Sequence, residues 1–390
     1  MVEMTLPVVG ASIGVISEVF YEKLFAAAPS LRTNLFNSAN QADRSQQQAL
    51  ASSVASFATL LVTQEPDDID AIMSRIAAKH ASLGVTSDLY EVVRTHLFAA
   101  IVEVLGDAVT PQVAAAWNEV YSLMANSLAE QESQLYRNAG VAAGQVWRQA
   151  LVAAREYDGQ HSATLFLRPL DGKPFRIHRP GQYTSVRIRF ADGTEQIRQY
   201  TVTHGRQTGE WALSIKRVPG GLVSPILVDQ VEEGDQLTIS QPFGGVVVDN
   251  DDNRPLLLVS AGIGVTNTLA TLQYLATYNP GREVTIIHVE RSAYEHVRRI
   301  EFSAVAKSLP NSQLFLRYTD FDGEHEDGRN PLTRVPLPSN AQTYVCGPIE
   351  FMRSIRRELI GAGLSPAAIH FEAFAPGSWL GLESEHAPVP

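Results

Sequence analysis

Hydrophobic residues recur at helical spacing in the first 150 residues and at strand spacing thereafter. One face of a helix predicted over residues 69–83, which Gly84 is suited to end, carries Ile69, Ile72, Met73, Ile76, His80 and Leu83. From about residue 152 the apolar runs are short and alternating, as at 163–167 and 184–189. Only 6 of the 27 glycines and 4 of the 21 prolines lie within residues 1–150. A helical part is therefore expected to precede a part in which short elements are separated by many turns.

Polar side chains lie on several of these apolar helix faces, where each is costly to bury without a partner. They are Tyr21, Gln46, His80, Tyr90 and Glu132. A histidine alone on an apolar face is usually a hydrogen-bonded core residue. A buried carboxylate such as Glu132, however, needs a donor close by, and the phenol of Tyr90 can be one. The co-occurrence of the five residues predicts a site inside the helical part.

Strands and glycine turns alternate in the last third of the chain. Residues 256–260 are predicted to form a buried strand that enters a glycine turn and then a helix, with further strands at 284–288 and 343–346. The last of these also ends in a glycine turn. A glycine turn between a strand and a helix leaves room for a phosphate at the helix N-terminus. The pattern predicts a parallel nucleotide-binding sheet.

Composition excludes several classes of partner. The net charge of −11 and the isoelectric point near 5.4 argue against nucleic acid or an anionic membrane as a partner. Cys346 is the only cysteine, which excludes an internal disulfide. No apolar run approaches the ~18 residues of a membrane helix. We expect a cytoplasmic enzyme that acts on small molecules and has no obligate protein partner.

The segment Arg198-Gln199-Tyr200-Thr201 resembles the flavin signature of ferredoxin-reductase-type domains, and Tyr183 precedes it in a Pro-Gly-Gln-Tyr run. Each residue type suits FAD. Arg198 can neutralise the pyrophosphate, Tyr200 can stack on the isoalloxazine ring, and the Thr201 hydroxyl, in place of the commoner serine, can reach flavin N5. About twenty residues later, a turn of small residues that can hold phosphate contains Gly220, Gly221, Val223 and Ser224.

The helical part resembles a flavohaemoglobin globin domain. The order and near spacing of that family are matched by Tyr21, Pro29, Phe36, Gln46, Leu50, Lys79, His80, Tyr90 and Glu132. The resemblance implies a multidomain fold with an all-α globin domain over 1–147, an antiparallel β-barrel FAD domain over 152–252 and an α/β parallel-sheet NAD(P)-binding domain over 253–378. Residues 379–390 are expected to be a mobile tail.

The same resemblance assigns the haem residues. His80 would be the axial ligand of haem b, and Phe36 would pack on the haem. Glu132 and Tyr90 would stand behind His80, where a carboxylate that accepts the second imidazole N–H makes the ligand more basic. The opposite, gas-binding side would be lined by Tyr21, Gln46 and Leu50.

For the nucleotide, the resemblance implies that the Cys-Gly-Pro turn lies beside the nicotinamide. Phe374 would cover the flavin until nicotinamide displaces it, and Lys79 and Glu372 would meet where the flavin approaches the haem. The first glycine turn departs from the family, which more often has Gln-Thr-Pro at 265–267. The residues implied at these sites are Gly262, Ile263, Gly264, Val265, Thr266, Asn267, Cys346, Gly347, Pro348, Glu372, Ala373, Phe374, Ala375 and Pro376.

Together these parts imply a nitric oxide dioxygenase. NAD(P)H would reduce FAD, FAD would reduce the haem iron one electron at a time, and oxy-ferrous haem would convert NO to nitrate. Three alternatives stay open: a haem-based sensor or carrier of O2 or NO, a peroxide or lipid hydroperoxide reductase, and a flavin reductase whose helical part is not a globin. NADH is the expected reductant. Glu290 could hold the ribose 2′-hydroxyl of NADH, whereas Arg291 and Ser292 could hold the extra phosphate of NADPH.

Overall fold

The computed structural model describes residues 1–29, 31, 54–55, 57–59, 61–62, 66–249, 252–320 and 330–374. Its helical part contains α1 (Val2–Ala11), α2 (Ile13–Ala27), α3 (Pro66–Leu83), α4 (Asp88–Leu105) and α5 (Pro111–Ala139). The helix predicted over 69–83 is confirmed as the greater part of α3. Outside the described residues, so that their predicted roles stay predictions, lie Phe36, Gln46, Leu50, Ala375, Pro376 and the tail 379–390.

Local sequence explains where these helices begin and end. α3 stops before Gly84, whose φ of +79° suits a residue without a Cβ. α5 begins after Thr110, whose hydroxyl accepts the Val113 N–H at 3.3 Å, and it ends at the left-handed Gly140. The apolar helix faces pack into one core, which includes Phe20, Leu24, Met73, Leu97, Trp117 and Leu128.

A seven-stranded sheet follows the helices in the chain. Its strands are β1 (Trp147–Asp158), β2 (Ser162–Pro169), β3 (Tyr183–Arg189), β4 (Glu195–Thr201), β5 (Thr203–His204), β6 (Trp211–Lys216) and β7 (Gln236–Ser240). They are ordered β4-β3-β7-β1-β2-β6-β5, and β2 pairs antiparallel with both β1 and β6. The antiparallel sheet predicted from the alternating pattern is confirmed. β1 begins at Trp147, before the alternation becomes evident near residue 152.

The last third of the chain forms a five-stranded sheet in which each pair of neighbouring strands is parallel. Its strands β8 (Leu256–Ala261), β9 (Val284–Glu290), β10 (Ser312–Tyr318), β11 (Gln342–Cys346) and β12 (Ile369–Glu372) are ordered β10-β9-β8-β11-β12. The accompanying helices are α6 (Val265–Tyr278), α7 (Arg299–Ser308) and α8 (Ile349–Gly361). This confirms the predicted parallel α/β sheet. Because β8 and β11 are neighbours, the glycine turns that follow them lie at the same edge.

The chain divides into two compact units. The first comprises residues 1–148 together with 185–198 and 239–245, so it combines the helical part with segments of β3, β4 and β7. The second comprises 149–184, 199–238 and the residues from 246 onwards. Among the described helices, none is by itself long and apolar enough to cross a membrane; α1 and α2, bent by 78°, meet that measure only as a pair.

Candidate functional site

His80, on the last turn of α3, shares a hydrogen-bonded cluster with residues from two other helices. Its Nδ1 lies 2.8 Å from Oε1 of Glu132 on α5 and 3.0 Å from the Tyr90 hydroxyl on α4. Tyr90 donates to the same Glu132 oxygen at 2.5 Å. Since that oxygen is an acceptor, His80 Nδ1 is the ring nitrogen that donates, and Nε2 is the nitrogen that neither Glu132 nor Tyr90 engages. The structure thus brings together three residues that the sequence placed on separate apolar faces.

Burial strengthens this cluster. Glu132 is 2% exposed, so its carboxyl group relies on the hydrogen bonds from His80 and Tyr90 in place of water. Burial and, next, the charge of Glu132 raise the pKa of Tyr90, which keeps the phenol protonated and donating. The His80 side chain is 28% exposed. The imidazole is therefore fixed at Nδ1 and accessible to a ligand.

Two further tyrosines hold the backbone around the cluster, and the sequence did not single them out as site residues. The Tyr121 hydroxyl donates to the main-chain oxygen of Tyr90 at 2.7 Å. The Tyr136 hydroxyl donates to that of Val85, just after α3, at 2.5 Å. Both tyrosines lie on the α5 face that carries Glu132. Helical spacing from Glu132 is the signal that could have found them.

Tyr21 lies in the core of the helical part. It is buried, its ring packs edge-on against Phe20 with centroids 4.7 Å apart, and the Phe25 ring lies at 5.4 Å. Burial raises the pKa of Tyr21, so its hydroxyl keeps its proton at neutral pH. The gas-side role given to Tyr21 involves Gln46 and Leu50, whose placement is not described, and it stays a prediction.

The residues predicted to hold FAD lie on two strands. Tyr183 opens β3, and the signature Arg198, Gln199, Tyr200 and Thr201 occupies the end of β4. Arg198 Nη1 donates to the main-chain oxygen of Ile197 at 2.8 Å. Alternation along β4 places Arg198 and Tyr200 on one face and Gln199 and Thr201 on the other. The signature therefore offers a cation and an aromatic ring together.

The predicted phosphate turn after β6 is closed by its own hydrogen bonds. Gly220 has a φ of +71°, and the Gly221 N–H donates to the main-chain oxygen of Val218 at 2.9 Å. The Ser224 hydroxyl accepts the Val218 N–H at 3.0 Å. Val223 is buried beneath the turn, and a short helix at Ile226–Gln230 follows. The turn is a preformed shape that depends on glycine at 220.

The two glycine turns at the edge of the parallel sheet touch each other. A methyl group on Gly264 would overlap the main-chain carbonyl of Cys346, so glycine is required there. Gly262 has a φ of +55°, and the Thr266 hydroxyl donates to the main-chain oxygen of Ile263 at 2.9 Å. The side chains that open α6 are buried, including Val265, Thr266 and Asn267. A helix N-terminus beside a strand end suits a pyrophosphate.

Cys346 ends β11 and pairs in register with Glu372 of β12. Burial and then the charge of Glu372 raise the pKa of the Cys346 thiol well above its ordinary value. The thiol is therefore neutral and packs as an apolar group. Gly347 and Pro348 lead from it into α8. The contacts predicted for Ala373, for Phe374 and for Glu372 with Lys79 stay predictions.

Glu290 and Arg291, the two residues weighed for nucleotide preference, have different surroundings. Glu290 is buried at the end of β9, where its Oε1 accepts the Arg291 N–H at 2.9 Å and lies 3.9 Å from Lys216 Nζ. Its other oxygen has no hydrogen-bond partner among the described residues and would lie 3.9 Å from a methyl group on Gly262. The Arg291 guanidinium lies 3.7 Å from the Glu295 carboxylate. An acceptor beside the first glycine turn suits a ribose hydroxyl.

Two family models match separate parts of the chain. The globin family model matches residues 18–128, and the oxidoreductase FAD-binding domain model matches residues 166–247. A flavohemoprotein of Rhizobium meliloti (strain 1021) is 36% identical over 394 residues, which covers 96% of this chain and 97% of the relative. The chain belongs to the flavohemoprotein family.

Two solved structures extend the flavohemoprotein comparison. The crystal structure of a flavohemoglobin from Malassezia yamatoensis, with bound FAD and heme, has 34% identity and a TM-score of 0.88 and covers 96% of this chain and 97% of its own. The FAD/NAD-binding domain of a nitric oxide dioxygenase from Vibrio cholerae has 30% identity and a TM-score of 0.53. It covers 60% of this chain and 100% of its own.

The nucleotide sheet of this flavohemoprotein also contains a buried histidine pair. The rings of His288 and His296 lie 4.3 Å apart, with His288 Nδ1 2.9 Å from the Ser260 hydroxyl and His296 Nδ1 3.1 Å from the Tyr318 hydroxyl. Burial, with Arg299 acting in the same direction, lowers the pKa of His296 to about 4. Burial also lowers the pKa of His288 well below its ordinary value.

This pair predicts acid lability of the second unit. The folded state holds both imidazoles neutral, so their contribution to stability is complete above the unfolded pKa of 6.5 and is lost as the pH falls toward about 4. We expect the unfolding temperature, followed by calorimetry, to fall across that window. His296→Phe should flatten the dependence, and His161→Phe should not. Equal pH profiles for wild type and His296→Phe would contradict the prediction.

Proposed function

We propose that this protein is a nitric oxide dioxygenase that holds haem b through His80, binds FAD on β3 and β4, and takes reducing equivalents from NADH. The observation that carries the proposal is the cluster of His80, Glu132 and Tyr90. A buried carboxylate on Nδ1 makes the imidazole a strong electron donor. That arrangement suits a haem that must activate oxygen more than one that only stores it.

The residues present fit the two cofactors that the solved flavohemoglobin relative contains. His80 offers Nε2 as an iron ligand because its Nδ1 proton is already engaged by Glu132. Arg198 and Tyr200 share a strand face that offers a cation for pyrophosphate and a ring for stacking. When bound, haem supplies the iron at which O2 and NO meet, and FAD accepts a hydride and releases its two electrons singly.

Electron balance explains why a globin and a reductase share one chain. Converting NO and O2 to nitrate requires one further electron, whereas NADH delivers two electrons at once. FAD is the converter between them, and two NO molecules are consumed for each NADH. A sensor or carrier of O2 or NO has no use for a fused reductase that delivers electrons in this way.

NADH rather than NADPH is favoured by the charges around the first glycine turn. The buried carboxylate of Glu290 accepts a ribose hydroxyl but repels a ribose phosphate. The Arg291 guanidinium lies beside the Glu295 carboxylate, and Lys216 Nζ lies 3.9 Å from Glu290 Oε1. Each of these cations is thus next to a carboxylate, and the Glu290 oxygen that has no hydrogen-bond partner among the described residues is the group that would repel a 2′-phosphate.

The proposal is tested by adding NO to the air-equilibrated protein with NADH. We expect NADH loss that depends on NO and nitrate formed at about two per NADH. A peroxide reductase would instead consume NADH on addition of cumene hydroperoxide and form no nitrate with NO. That outcome would replace the proposal.

Tyr21→Phe is expected to speed the loss of O2 from the ferrous protein about tenfold, because a phenol that donates to bound oxygen stabilises it by one charge-assisted hydrogen bond. Flash photolysis or stopped-flow mixing gives the rate. Reduction of ferricyanide by NADH, which needs only the flavin, should be unchanged. Equal O2 release in variant and wild type would remove Tyr21 from the gas side.

Glu132→Gln is expected to raise the haem reduction potential and to weaken haem binding about 10- to 100-fold. The amide keeps the shape of the carboxylate but not its charge, so the His80 imidazole becomes a weaker donor to iron. Spectroelectrochemistry and haem transfer to apomyoglobin measure the two effects. The exposed Glu130, on the same helix, supplies the matched control Glu130→Gln. An unchanged potential would show that Glu132 has no electronic role.

A further inference from the structure

The last turn of α3 is tied to the β-sheet segments of its own unit as well as to helices. Lys79, immediately before His80, has a main-chain oxygen that accepts the Ser82 hydroxyl at 2.8 Å. The Ser82 oxygen in turn accepts the Ser185 hydroxyl of β3 at 2.9 Å. Both serines are fully buried. A continuous hydroxyl chain therefore connects the strand opened by Tyr183 to the peptide of the histidine.

The direction of this chain is fixed at its Lys79 end. The main-chain oxygen of Lys79 can only accept, so Ser82 must donate to it and Ser185 must donate to Ser82. On the strand side, the Ser185 N–H donates to the Ser240 hydroxyl at 2.9 Å, and Ser240 donates to the main-chain oxygen of Gln241 at 2.7 Å. The two hydroxyl bonds, from Ser185 to Ser82 and from Ser82 to the Lys79 oxygen, run in one direction and so polarise and strengthen each other.

A second contact holds the same helix. A methyl group on Gly245 would lie 3.1 Å from the N and Cα atoms of Arg75 and from the carbonyl carbon of Ser74, closer than a Cβ normally packs. The segment 239–245 thus lies against the α3 backbone before His80. Glu132 and Tyr90 hold the imidazole from the other helices, so ring and backbone are fixed by different elements.

We propose that Ser82 and Ser185 are positioning residues, which fix the His80 backbone relative to the flavin-binding strand. This inference rests on the proposed function, because it takes His80 as the haem ligand. Neither serine is among the residues predicted to hold haem or FAD. Their hydrogen bonds fix one orientation of the axial ligand in the intact chain. Residues of the β-sheet therefore help to set the geometry of the haem site.

The test uses the full-length protein loaded with haem and FAD. In Ser82→Ala and in Ser185→Ala we expect the iron–histidine stretching band of the ferrous protein, measured by resonance Raman, to shift and broaden. Amide hydrogen exchange at Gly84 and Val85, which bond back to the last turn of α3, should accelerate about fivefold, as the loss of one net hydrogen bond predicts. The double variant should match Ser82→Ala alone.

The matched control is Ser122→Ala. The Ser122 hydroxyl donates to the main-chain oxygen of Asn118, within its own helix, at 2.8 Å, and among the described residues it makes no hydrogen bond to a β-strand. It should leave the band unchanged. If Ser82→Ala fails to fold, Ser185→Ala still removes the link and leaves the Ser82–Lys79 bond intact. An unshifted band in Ser185→Ala overturns the positioning role. A wild type without any iron–histidine band would instead overturn the proposed function.

Discussion

His80→Gly is expected to abolish NO-dependent oxidation of NADH, with a loss of more than about 100-fold, while NADH still reduces ferricyanide through the flavin. The reason is geometric. His80 Nδ1 is engaged by Glu132 and Tyr90, so Nε2 is the nitrogen left for iron. Removing the ring removes the axial bond and leaves the reductase intact. The Soret band should weaken and shift in the same preparation.

Imidazole added to His80→Gly should restore much of the Soret band, because the free ring can occupy the vacated space and reach the same carboxylate. The matched control is His96→Gly on α4, which should keep both the band and the activity. A full Soret band and normal NO turnover in His80→Gly without imidazole would show that another residue ligates the iron.

Gly264→Ala is expected to destabilise the second unit by about 3 kcal/mol and to slow flavin reduction by NADH about 100-fold. The added methyl group would overlap the main-chain carbonyl of Cys346, so the two glycine turns must separate. The nicotinamide is proposed to lie beside those turns. Stopped-flow absorbance of the flavin gives the rate, and chemical denaturation gives the stability.

The control for this variant is Gly281→Ala, where an added methyl group meets no atom within 4 Å. It should reduce neither stability nor rate appreciably. NO binding to ferrous haem, prepared with dithionite, should be normal in both variants because the helical part is untouched. Wild-type flavin reduction in Gly264→Ala would show that the contact of the two turns is unimportant for hydride transfer.

The sequence predicted the parts whose signals are local. The apolar face of α3, with His80 on it, is set by helical spacing within one helix, as is the burial of Glu132 on α5. Strand, glycine turn and helix follow one another directly at 256–267, so the first glycine turn at the edge of the parallel sheet was also predictable. Polar residues on apolar faces were the signal that connected His80, Tyr90 and Glu132.

The features that the sequence did not predict depend on contacts between distant segments. Ser82 and Ser185 are 103 residues apart, and serine is too common for its position to signal a bridge. The close approach of Gly264 to Cys346 follows from β8 and β11 being neighbours, a strand order that no local pattern encodes. Tyr136 bonds a main-chain oxygen 51 residues away, and its role appears only when the helices pack.

We infer that one chain carries electrons from NADH through flavin to a His80-ligated haem that oxidises NO. The most direct measurement is a spectrum of the purified protein in air with NADH, followed by NO while nitrate and NADH are recorded. We expect a Soret band that moves to the position of the oxygenated ferrous protein, and nitrate at about two per NADH once NO is added. Flavin bleaching without a Soret band, or a rate of NADH loss that does not change when NO is added, would contradict this electron path.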